Sequence, residues 1–271
     1  MNILQKLLSY RLFLLFAIFL SVAAPEGRAE KTTPQQVSPG ISILASSSLT
    51  DVMTELIRIY SRKSNETASG FFESPEVLTD MILSGESADV YISEHQDWLT
   101  KLKQQGLVDV YTVTNLMRNR LVLAAPPESH LRKNITQGMP IREALKDINE
   151  KAILVIPDTE TEPAGIQAQK VLEKLGYWKK VQRSMLRAET DRNALYLVAK
   201  GKNAGILYYS DVHNNPEVVE LADFPESMHD PIVYQAAVVA GLNMPKARKF
   251  IEFLKTDEAK QVFRKYGFTV D

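Results

Sequence analysis

Short apolar runs separated by stretches of helical periodicity recur along this chain, and that alternation restricts the fold more than any other feature. Ile41–Ala45 is a compact apolar run; Val52, Leu56, Ile57 and Tyr60 then follow at helical spacing within Ser48–Ser61. A second helix is predicted over Ser74–Leu83, with Ser74 at the cap and Pro75 in the first turn. Ala88–Ile92 reads as a strand, Gln96–Gln105 as a helix ended by Gly106, and Arg120–Ala125 as a strand stopped by two prolines. A second series repeats the alternation. It has helices at Ile141–Leu145, Pro163–Leu175 (closed by Gly176) and Arg192–Ala199, and strands at Ala152–Ile156, Ala204–Tyr208 and Ile232–Ala240. Helices over Pro245–Lys255 and Glu258–Arg264 end the chain. Strands separated by helices imply parallel sheet, so the fold class is α/β.

The Pro-rich breaks at 126–127 and 225–231 are candidate crossings between two lobes. Lys6 and Arg11 precede an apolar run, Leu12–Leu20, and Gly27-Arg28-Ala29 offers small residues for cleavage before Glu30. That run is short of the roughly 20 residues needed to span a bilayer, so residues 1–29 are expected to be a secretory signal. Residues 30–39 are expected to be a loose leader.

Composition narrows the chemistry. Lys and Arg number 32 against 33 Asp and Glu, so the chain lacks the basic surplus of a general nucleic-acid binder. With no cysteine, disulfides, thiol nucleophiles and thiolate metal sites are impossible. The four histidines (His95, His130, His213 and His229) fall in no metal-ligand spacing, and no nucleophile elbow, P-loop or H-E-x-x-H is present. What stands out is the helix starts, whose free N–H groups and partial positive charge can hold an anion. They are Ser46-Ser47-Ser48-Leu49-Thr50, Ser74-Pro75 and Pro163-Ala164-Gly165, where Gly165 is expected to admit a ligand close to the backbone. Taken singly, each is better explained by ordinary capping, and only their order and context give them weight.

Seven segments, in order, resemble the periplasmic molybdate-binding proteins of ABC transporters. They are ILASSSLTDVMTEL (43–56), GESADVYISEHQDWL (85–99), RNRLVLAAP (118–126), EPAGIQAQKVLEKLGYW (162–178), GILYYSD (205–211), DFPESMHDPIVYQAAVV (223–239) and FRKYGF (263–268). The resemblance implies a two-lobed periplasmic-binding-protein fold of type II, each lobe a mostly parallel sheet flanked by helices, with the ligand in the cleft between them. On that reading residues 30–118 and 229–271 form the first lobe and 119–228 the second. It further implies a molybdate or tungstate ligand held by neutral donors, an ABC permease as membrane partner, a periplasmic location, a monomer, and neither enzymatic activity nor a cofactor. By position, the oxyanion ligands are Ser48, Ser74, Ala164, Asp191 and Tyr208.

Two of these positions depart from the family. Pro75 has no N–H to offer where a serine is usual. Glu73, Glu76 and Asp191 bring negative charge near a site for a dianion. Two unit charges about 5 Å apart repel by roughly 3 kcal/mol at an effective dielectric near 20, which weakens binding about a hundredfold. The resemblance implies that only the backbone serves at this position, and Asp is a good helix cap, so the Asp191 side chain is expected to point to solvent. The other readings are the same fold serving a different anion, a neutral or a cationic solute, or an exported enzyme or adaptor.

Overall fold

Ten strands, β1 (Ile41–Ser46), β2 (Ala68–Glu73), β3 (Val90–Ser93), β4 (Val108–Asn119), β5 (Leu121–Ala125), β6 (Leu154–Pro157), β7 (Leu186–Ala188), β8 (Ala204–Tyr208), β9 (Val219–Asp223) and β10 (Ile232–Val239), form two five-stranded sheets in the computed structural model. It describes residues 40–133, 139–151, 153–201 and 203–271. The expected signal (1–29) and leader (30–39) lie outside the described residues. The helices are α1 (Thr50–Ser64), α2 (Pro75–Leu83), α3 (Gln96–Gln104), α4 (Ile141–Lys151), α5 (Pro163–Lys174), α6 (Trp178–Val181), α7 (Asp191–Lys200), α8 (Tyr209–His213), α9 (Met244–Leu254) and α10 (Asp257–Lys265). Among the described residues no helix is long and apolar enough to cross a membrane.

The two sheets share one plan. The first runs β2-β1-β3-β10-β4 and the second β7-β6-β8-β5-β9. In each, three strands pair in parallel and the fourth position is a reversed strand, β10 or β5, antiparallel to both neighbours. The chain passes from the first sheet to the second across Arg120 and returns between Asp223 and Ile232. The reversed strand therefore belongs to each sheet at a point of crossing.

Period-two alternation places the core on both faces of the buried strands. Ile41, Ile43 and Ala45 of β1, and Leu121, Leu123 and Ala125 of β5, enter one apolar cluster shared by both sheets. Leu44 faces a smaller cluster under α2 and α3, and Val122 and Ala124 face another under α7. Helix ends follow local rules. Gly106 (φ +68°) closes α3 and Gly176 (φ +74°) closes α5, both in the left-handed region that a Cβ disfavours.

Four strands were not foreseen, β2, β4, β7 and β9, and they are the four sheet edges. Gly70 interrupts β2, charged or polar residues punctuate β4 and β9, and β7 is only three residues long. An edge strand packs on fewer neighbours and shows water one side, so its residues lack the apolar run that marks an interior strand.

Candidate functional site

Several of the polar residues that the fold buries, Ser46, Ser48, Glu94, Asn119, Glu162 and Asp191, gather where the two sheets meet. β1 runs into a single 3-10 turn, Ser47–Leu49, ahead of α1, so Ser46 and Ser48 are held at the end of a buried strand. Directly after β3 comes Glu94, buried to 7% exposure. Ser46 Oγ donates to Glu94 Oε2 (2.6 Å), while Ser48 Oγ (3.5 Å) and Tyr208 OH (3.3 Å) donate to Oε1. Tyr208 ends β8 in the second sheet, so this carboxylate joins the two lobes.

A relay stands behind it. Asn119, the last residue of β4, donates through Nδ2 to Tyr234 OH (3.4 Å), and Tyr234 OH lies 3.0 Å from Ser48 Oγ. An amide nitrogen can only donate and a carboxylate only accept. The ends therefore set the direction: Asn119 to Tyr234, to Ser48, to Glu94. Burial, with Glu94 close by, pushes the Tyr208 and Tyr234 hydroxyls up, which keeps both protonated as donors.

Two further carboxyls come from the second lobe. Glu162 is the residue ahead of α5 and fully buried; Asp191 opens α7 and is 2% exposed. The Asp191 N–H donates to Glu162 Oε2 (3.3 Å). Glu162 Oε1 and both Asp191 carboxylate oxygens have no hydrogen-bond partner. Burial pushes Glu162 up to about 8, helped by Glu94, Glu73 and Asp158. Asp191 is held well above the usual carboxylate range by burial and then by Glu162 and Glu94. Glu94 is raised too, by burial, against the pull of its hydroxyl donors. No lysine or arginine pairs with any of the three among the described residues.

The five residues expected to bind oxyanion fare differently. Ser48 and Tyr208 converge, on Glu94. Ala164 is buried in the first turn of α5, beside Glu162. Ser74 caps its own helix, accepting from Val77 N–H (3.3 Å), with Pro75 as the first residue of α2. Asp191 corrects an expectation. Its side chain is buried rather than turned to solvent, and Thr190 is the cap, accepting from Asn193 N–H at 3.2 Å. Gly165 corrects another. A Cβ there would stand 2.1 Å from the Asp158 carbonyl oxygen, so the close neighbour is the chain leaving β6, not a ligand. Glu73 and Glu76 are half-buried. Glu94 and Glu162 were missed, although both lie within segments that carry the resemblance. The available signal was a carboxyl directly after an apolar strand, or directly before a helix start, where the neighbours are buried.

A groove of about 740 Å3 between the starts of α3 and α5 reaches this cluster, with Glu94, Trp98, Lys101, Pro163 and Lys170 among its walls. On another side Ser48 borders a cavity of about 520 Å3, next to the Asp51–Arg192 ion pair that bridges α1 and α7 (2.6 and 2.9 Å).

Two α/β sheets of one plan meeting over a buried polar cluster define a two-lobed, type II periplasmic-binding-protein fold. Over residues 41–269 the sequence matches the family described as bacterial extracellular solute-binding protein, and the chain belongs to that family. It is 32% identical over 231 residues to the molybdate-binding protein ModA of Escherichia coli (strain K12), spanning 85% of this chain and 89% of that one. With the ModA of Haemophilus influenzae it shares 32% over 235 residues, 86% of this chain and 91% of the other. The periplasmic molybdate-binding protein of Azotobacter vinelandii superposes with a TM-score of 0.75 at 16% identity, over 85% and 99% of the two chains, a likeness of fold. The chain is thus a ModA-like solute-binding protein.

Proposed function

We propose that this protein is exported under residues 1–29, captures a small solute bearing a positively charged group between its lobes, and presents it to an ABC permease. The buried acidity carries this reading: Glu94, Glu162 and Asp191 share one desolvated cluster without a cationic partner among the described residues. Burying an unpaired carboxylate costs several kcal/mol, so each such group takes up a proton or a cation. A dianion would add to the repulsion. The rings of Tyr208 and Tyr234 lie 6.3 Å apart beside the same carboxylate, and an ammonium group is stabilised by carboxylate and aromatic ring alike. Among the described residues no three acidic or histidine side chains approach closely enough to share a metal ion, which favours an organic ammonium solute.

A second reading, molybdate or tungstate, is supported by the hydroxyls of Ser48 and Tyr208 pointing at one anionic centre and by the names of the relatives. It requires the carboxyls to be protonated, acting as donors. The two readings have opposite pH dependence. A cation displaces protons from the raised carboxyls and binds more tightly as pH rises; an oxyanion needs those protons and binds more tightly as pH falls. Thermal unfolding at pH 5.5 and 8, with amines, amino acids, molybdate, tungstate, sulfate and phosphate, separates them. A ligand at 100 times its Kd adds about 2.7 kcal/mol, a rise of roughly 5–10 °C for a chain of this size. The expected result is a rise with an amine, larger at pH 8. A rise with molybdate as large at pH 8 as at pH 5.5 overturns the cationic reading.

A further inference from the structure

We infer that the Glu94 carboxylate is a tethered anion, seated where hydroxyls of both lobes converge, and that it determines specificity by denying that seat to free oxyanions. The inference rests on the solute-binding reading of the cleft, not on the charge of the solute. Ser46 and Ser48 reach Glu94 from the first sheet and Tyr208 from the second. No lysine or arginine among the described residues joins them, so neutral donors, the three hydroxyls together with the Glu94 backbone N–H, compensate the charge.

Each hydroxyl has one proton to donate. While Ser46, Ser48 and Tyr208 give theirs to Glu94, none is left for a second anion. The Asn119–Tyr234 relay fixes the Ser48 proton in the same direction. The seat is rigid, because β3 is paired on both sides and Ser93 Oγ accepts from His95 N–H (3.0 Å), fixing the turn that presents Glu94. Glu162 and Asp191 act differently. They contribute field, but neither accepts from these hydroxyls.

This difference sets the experiment. Molybdate and sulfate are titrated at pH 7.5 by calorimetry and by the fluorescence of Trp98, in the groove beside Glu94, into full-chain variants. Glu162→Gln with Asp191→Asn removes the field and leaves the seat filled; adding Glu94→Ala empties it. The double variant is expected to bind either oxyanion no more tightly than about 1 mM, and the triple variant at least about 100-fold more tightly. Glu94→Gln in the same background keeps an accepting oxygen in the seat and shows no such gain. Equal affinity in double and triple variants, or no oxyanion binding by the triple variant, overturns the inference. If the triple variant does not fold, Glu94→Ala alone is compared with wild type, and absence of any gain overturns it. Failure of the solute-binding reading looks different: wild type then responds to no solute of either charge.

Discussion

The two lobes are built to one strand plan yet bring different chemistry to their shared cleft. The first supplies the hydroxyls of Ser46, Ser48 and Tyr234 and a single carboxyl, Glu94, which accepts from Ser46 and Ser48. The second supplies one hydroxyl, Tyr208, and two carboxyls at helix starts, Glu162 and Asp191, whose oxygens are largely unpartnered. One side of the cleft thus carries matched polarity and the other unmatched charge. The shared plan fixes where the seats are, at strand ends and helix starts. The residue type in each seat decides whether the charge is neutralised within the chain or left for a proton or a ligand.

The sharpest way to test that contrast is to neutralise the unmatched side. Glu162 is raised to about 8 from an ordinary 4.5, so the folded chain holds a proton that the unfolded chain has released. Its contribution to stability is full below about pH 4.5 and is lost as pH rises through about 8. Glu162→Gln is expected to match wild type at pH 5 and to exceed it at pH 9 by on the order of 4 kcal/mol, read by urea unfolding at both values. Equal pH profiles for the two proteins would remove the contrast.

A backbone test comes next. Gly165→Ala forces a methyl against the Asp158 and Pro157 carbonyls and should cost about 3 kcal/mol or more, visible as a lower Tm. On the matched side, Ser46→Ala removes the 2.6 Å bond to a buried carboxylate and is expected to cost roughly 1.5–3 kcal/mol. Tyr208→Phe, with a longer bond at 3.3 Å, should cost about 1 kcal/mol, and denaturant midpoints rank the two. The smallest effect belongs to Arg192→Ala. This pair with Asp51 bridges the lobes, but both side chains are about half exposed, 43% and 53%, so the loss should stay below about 1 kcal/mol.

Legibility in the sequence followed burial. Interior strands β1, β3, β5, β6, β8 and β10 announced themselves, because a strand covered on both faces must be apolar throughout. The edges β2, β4, β7 and β9 did not, since half of what stabilises them lies in a neighbouring strand far along the chain. The site divides in the same way. Ser48, Ala164 and Tyr208 sit in segments whose order and spacing mark a known arrangement; Ser48 and Tyr208 meet at Glu94, while Ala164 is buried in the first turn of α5. The Asp191 side chain was misjudged, because an aspartate at a helix start is ordinarily a solvated cap.

By itself, the sequence determined the α/β alternation, the helix starts that can carry polar groups, and the family to which the chain belongs. These depend on local periodicity and on residue types in fixed order. Only the tertiary structure decided that Glu94, Glu162 and Asp191, up to 97 positions apart, share one dry cluster, and that the hydroxyls expected for a ligand are given to Glu94. The charge of a cleft is set by which side chains lose water together, and that is a property of packing between distant segments.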